Sequence, residues 1–335
     1  MRIEAVNSWE QRAELGDAPA MPTFNSRQLE EHRVDAHLCV LDGDGKVIAQ
    51  CSLWWRETPQ LGDDRVGAIG HYGSVESEAA AALLTEATAL LRAEQRTIAI
   101  GPMDGNTWRH YRFVIANGSI LPAEPAFFLE PTNPAEWPRQ FEAAGFKPVA
   151  RYYSALNNDL ARSDERIAPL AAKLESAGVR IRSAIGTALE EQLERIYQVS
   201  RIAFLHNFLY TELPEEAFLA QYSPLLGRLR PELILLAERG PELVGYLFAI
   251  PDFAQAARGD AIDTIIVKTV AILPYPELRG LGGLLVARAH QAGHKLGFRR
   301  AIHALMHEDN ISRNISRHYA ETMREYALFG LELRT

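Results

Sequence analysis

The run TIIVKTVAILPYPELRGLGGLLVARA, residues 264–289, decides the fold. Thr264 to Ile272 form a long, almost wholly apolar segment of the kind that makes a buried strand. Pro274 and Pro276 break that pattern. Gly280, Gly282 and Gly283 then open a segment in which Leu281, Leu285 and Ala289 recur at helical spacing. The first backbone N–H groups of a helix lack internal partners and carry the positive end of its dipole, and glycine there lets a phosphate come close. Arg279 adds a full positive charge beside them. A tight turn into a closely packed helix is the other reading of the same glycines.

Outward from this run, Leu233 to Ile250 consists of two apolar stretches about a polar turn at Arg239 to Glu242, an antiparallel hairpin. Ala36 to Ala49 repeats that plan, with Asp42-Gly43-Asp44-Gly45 as the turn. Arg96 to Asn106 aligns without gaps with Arg300 to Asn310, each a strand leading to an asparagine, and each is preceded by an amphipathic helix, about Val75 to Ala93 and Gly282 to Leu296. Hairpin, strand, helix, strand and loop therefore occur twice in one order, which points to a divergent internal duplication. The predicted division is a first domain over 1–160, a connecting helix within 161–176, and a second domain over 177–335 that begins with a strand at Val179 to Ser183. Cys39 and Cys51, on the two arms of the first hairpin, read as small core residues rather than a disulfide scaffold.

The strand, the proline and the Arg-Gly-x-Gly helix start together resemble the central motif of the GCN5-related N-acetyltransferase (GNAT) superfamily, and the duplication resembles its tandem two-domain members. The resemblance implies an α/β (α+β) fold class, two GNAT-like domains that are each a mixed, mainly antiparallel sheet flanked by helices. It implies that Arg279, Gly280, Leu281, Gly282, Gly283 and Leu284 hold the pyrophosphate of an acyl-coenzyme A, and that Val270, Ala271 and Ile272 offer backbone groups to its pantetheine arm. Asn310 and Ser312 would contact the pantetheine or cap the following helix. The family pattern is Gln/Arg-x-x-Gly-x-Gly/Ala, and here its sixth place is Leu284, with Gly283 one position early. At the matching helix start of the first half stand Ser74, Glu76 and Glu78, whose carboxylates satisfy the helix dipole and repel a pyrophosphate, so one working cofactor site is expected. The loop Gly101 to Arg112, rich in turn formers, aromatics and charges, is read as a domain edge or as a ligand-binding loop.

Composition narrows the function. With 335 residues, 47% hydrophobic and 23% charged, the chain is an ordinary globular one with room for two cores. A net charge of −8 supplies no basic field for a nucleic-acid backbone. No signal peptide or membrane span is legible, so a cytoplasmic location is expected, with no membrane or nucleic-acid partner; oligomeric state is not legible. The expected reaction is transfer of an acyl group, acetyl first, from acetyl-CoA or another acyl-CoA to the amine of a small molecule by direct attack. The alternatives are a non-catalytic acyl-CoA-binding or regulatory module, and an enzyme using a longer-chain or carrier-protein thioester. The resemblance places the acid on a helix after the next strand, here Ile311 to Tyr326; Tyr319 is the candidate, though Ile311, Ile315, Tyr319 and Met323 also make an apolar stripe. Five of the ten histidines lie between residues 290 and 318. His307, beside Glu308, is the candidate base, with His303, Asp263 and Glu238 as others. His290 and His294 have a spacing seen in zinc sites but no accompanying glutamate, and no metal is expected.

Overall fold

The computed structural model describes residues 1–120, 122–162, 164–222, 227–309 and 316–334. The first half runs β1 (Arg2–Val6), α1 (Trp9–Glu14), α2 (Gln28–Glu31), β2 (Ala36–Leu41), β3 (Val47–Trp54), β4 (Val66–Ser74), α3 (Ser77–Ala93), β5 (Ile98–Gly101), β6 (Phe113–Asn117), α4 (Glu136–Ala143) and β7 (Lys147–Asn157). The second runs α5 (Ile167–Ser176), β8 (Val179–Ser183), α6 (Leu189–Ala203), α7 (Glu215–Tyr222), β9 (Ile234–Arg239), β10 (Glu242–Pro251), α8 (Phe253–Ala257), β11 (Thr264–Ile272), α9 (Leu281–Lys295), β12 (Arg300–His307) and β13 (Glu321–Glu332).

Both halves build the same unit. Strands β1 to β4 pair antiparallel in sequence order, as do β8 to β11. A helix then crosses over to a parallel neighbour, α3 to β5 and α9 to β12. The fold is the mixed, largely antiparallel sheet with flanking helices that the sequence implies. Cys39 and Cys51 are buried free thiols in separate core clusters, with no bridge between them.

The halves also exchange strands. β7 pairs with β12, and β13 lies between β5 and β7 while also pairing with β6. The last strand of each repeat therefore completes the sheet of the other, and thirteen strands become one sheet. Phe329 shows the consequence for packing: it lies in the first-half core with its ring 6.2 Å from Phe113 and 6.1 Å from Phe141.

The predicted helix Ile311 to Tyr326 gives way to a strand from Glu321 onward, and Tyr326 lies within β13. A strand covered on both faces loses strict alternation, and residues 326–330 are buried without a break. Met323, four residues after Tyr319, thus mimicked a helical stripe.

Candidate cofactor cleft

The ladder between β11 and β12 runs only from Thr264↔Arg300 to Val267↔His303, whereas β11 continues to Ile272 on its other neighbour, β10. The two strands separate beyond that point. Each contributes a distortion: the β10–β11 register shifts between Phe248 and Ala249, which leaves Lys268 as an extra residue, and β12 kinks at Leu305, whose φ is 56°. From Lys268 to Ile272 the edge of β11 facing β12 has no strand partner among the described residues, so its backbone groups are open to a ligand that pairs like a strand.

This open edge leads to the start of α9. Gly280, the N-cap, has a φ of 98°, which favours glycine, and a Cβ built on it would stand 2.6 Å from Leu170 Cδ1 and push that side chain aside. Leu284 N–H donates to Gly280 O (3.2 Å), leaving the N–H groups of Leu281, Gly282 and Gly283 without a helical acceptor. A Cβ at Gly283 would meet nothing within 4 Å. Leu281 and Leu284 point into the core, and the exposed Arg279 has no ion-pair partner among the described residues. Gly245, opposite Ile272, would carry a Cβ 3.4 Å from Leu281 Cδ2, so strand end and helix start are adjacent. The structure thus brings together Val270–Ile272 and Arg279–Leu284. Asn310 and Ser312 lie outside the described residues.

The equivalent opening in the first half is filled by the chain itself. β4 and β5 part after Ala68↔Ile100, but Met103 N–H donates to Ile69 O (2.8 Å) and His71 N–H to Asp104 Oδ1 (2.6 Å). A Cβ on Gly70 would lie 2.5 Å from Asp104 Oδ1. At the start of α3, the Ser74 hydroxyl donates to Glu76 O (2.9 Å) and Glu78 occupies the first turn. Space and charge both oppose a phosphate there.

The candidate catalytic side chains have different surroundings. Tyr319 donates to Asp164 Oδ2 (2.8 Å) and sets its ring edge-on to His290, beside an open groove of about 360 Å³ between α5 and α9. Burial and the bond to Asp164 push the Tyr319 phenol well above its ordinary pKa. His290 and His303 face each other at 2.9 Å, with His303 also bonded to the Ser316 hydroxyl (3.0 Å). His307 instead contacts Tyr152 and Phe208, at ring distances of 5.0 and 5.9 Å. Its Nδ1 accepts from Asp309 N–H (3.2 Å), so the neutral ring carries its proton on a buried Nε2. Tyr319 and His307 share no partner among the described residues. Glu238 is held by Arg182 and Arg195, with its carboxyl below the usual range, and Asp263 accepts from Gln255 and Thr264.

Two cations escaped sequence reasoning. Lys268, exposed at the bulge of β11, has its ammonium pKa lowered by partial loss of hydration, and it has no ion pair among the described residues. Its signal was being the one charge in Thr264–Ile272. Arg112 is 6% exposed, stacked between Tyr111 and Tyr152 at 3.8 and 4.2 Å, and donates to Leu305 O (3.2 Å). The rest of its loop reaches the second half: Trp108 Nε1 donates to Thr211 O (2.6 Å) and the Thr107 hydroxyl to Leu209 O (3.4 Å). The first half therefore walls the side of β12 on which His307 lies.

No family model matches the sequence, and no curated protein does either. Solved structures do. The chain has the GNAT fold, a mixed sheet parted between two parallel strands with a helix starting at the opening. It aligns over 89% of its length with 81% of a GCN5-related N-acetyltransferase from Sphaerobacter thermophilus (TM-score 0.51, 12% identity), and over 99% with 73% of one from Anabaena variabilis (0.54, 9%). Its tandem form is matched in full by a tandem GNAT protein from the clavulanic acid biosynthesis pathway, over 100% of this chain and 99% of that one (0.50, 14%). Among the described residues, no helix is long and apolar enough to cross a membrane.

Proposed function

We propose that the protein is an acyl-coenzyme A-dependent N-acyltransferase, acetyl-CoA being the first donor to consider, that acylates the amine of a small molecule in its C-terminal half. The observation that carries this reading is the unpaired edge of β11 leading into the free N-terminus of α9 and the unpaired Arg279. The helix N-terminus and Arg279 suit a pyrophosphate, and the strand edge suits the amides of a pantetheine arm. The amine nitrogen attacks the thioester carbonyl carbon, an N–H on the β11 edge stabilises the oxyanion, and the C–S bond breaks; the amine loses a proton and the thiolate gains one. Tyr319, kept protonated, is the proposed acid. His307 is the proposed base on the acceptor side, and in the tautomer set by Asp309 it presents a donor, so proton removal requires the other tautomer.

Thiol release from acetyl-CoA across a panel of small amines tests this. Turnover should fall by about 10²-fold or more in Tyr319→Phe and in His307→Gln, with cofactor affinity unchanged. A protein that binds acetyl-CoA and releases no thiol with any amine is a binding module. That reading draws on the commitment of the Tyr319 hydroxyl to Asp164. A donor series of longer acyl chains and carrier-protein thioesters distinguishes the remaining alternative.

A further inference from the structure

We infer that His32, His71 and Asp104 form a binding site for one divalent transition metal ion of the zinc type, in the place where the first half has closed its own cofactor opening. One ligand atom from each residue lies within 4.8 Å of the others. His32 Nδ1 and His71 Nε2 are 2.9 Å apart, and His71 Nε2 and Asp104 Oδ2 are 3.7 Å apart. Those values bracket the separation of about 3.3 Å that two ligand atoms have in a tetrahedral site with zinc–ligand bonds of about 2.05 Å. Two imidazoles and one carboxylate leave a fourth position for water, a ligand set suited to Zn²⁺ and its neighbours in the first transition row.

The surroundings orient these ligands. With its Nε2 on a metal, His71 holds its proton on Nδ1, 2.9 Å from Ser52 Oγ, and the Ser52 hydroxyl can then donate to His37 Nδ1 at 2.8 Å. Asp104 Oδ1 accepts from His71 N–H, and Oδ2 has no hydrogen bond among the described residues. Trp54 and Phe24 rings flank His71 at 5.1 and 5.2 Å and exclude water from that side. Arg109 donates to the carbonyls of His32 (3.1 Å) and Asp104 (3.3 Å), so it holds the backbone of two ligands. Two ring nitrogens and a carboxyl oxygen from three separate segments converge on one point. Sequence offered no sign of this, because the three residues stand in separate segments.

The ion would tie the segment after α2 to β4 and to the loop that carries Thr107, Trp108 and Arg112, and so fix the wall on the acceptor side. The site itself is independent of the acyl-transfer reading. The test is titration of chelator-stripped, full-length protein with Co²⁺, followed by visible absorption and competition with Zn²⁺. One equivalent per chain with a saturable band is expected, weakened about 10-fold or more in Asp104→Asn and about 10- to 100-fold in Ser52→Ala, which leaves all three ligands in place. The unmodified protein decides the matter even where a variant fails to fold. Absence of a saturable band, or binding that survives Asp104→Asn and is lost in His303→Gln, would overturn the assignment.

Discussion

At the scale of single residues, the molecule relies on histidines that must stay uncharged. His290 and His303 are pushed down to about 3 and about 4, by burial and, for His290, also by His303. Unfolded, each would take up a proton near pH 6.5. The unfolded chain therefore binds more protons than the folded one between those limits. Stability is full above about pH 6.5 and is lost as pH falls toward 4, on the order of 2 kcal/mol per histidine by pH 4.5. Urea midpoints at pH 7 and 4.5 check this, with a shallower pH dependence in His303→Gln than in the native protein. The helix start proposed to hold phosphate was legible in the sequence because glycine and arginine there have a local cause. Lys268, Arg112 and the cluster of His32, His71 and Asp104 were not, since each acquires meaning only from neighbours distant in sequence.

At the scale of elements, the second hairpin, the two crossover helices and the strand Val179–Ser183 were readable within a residue or two, from turn chemistry and periodicity, whereas the first hairpin, read to Ala49, continues to Trp54. The strand exchange was not readable. β13 is buried on both faces, and nothing local specifies that it lies between β5 and β7. The exchange makes the C-terminal strand part of the first core, so the halves should unfold together. Phe329→Ala, at a position 1% exposed, is expected to cost about 3–5 kcal/mol and to move a single calorimetric transition. Two transitions, with only one shifted, would show that the halves are energetically separate.

At the scale of the whole molecule, one repeat keeps its strands parted and the other closes them with its own chain at Met103 and Asp104. The two helix starts differ in the same sense, glycines and Arg279 at α9 against Ser74 and Glu78 at α3. On the proposed reading, a chain with a net charge of −8 binds a polyanion through attraction local to one helix end. The most direct measurement is calorimetric titration with coenzyme A of the native protein and of Gly283→Glu. The substituted side chain has open space around it and replaces a helix glycine, so the fold should hold while a carboxylate faces the phosphates. One equivalent should bind to the native chain, with an affinity at least about 100-fold weaker in the variant and the variant's thermal midpoint undiminished. Two equivalents, or unchanged affinity in Gly283→Glu, would contradict that reading.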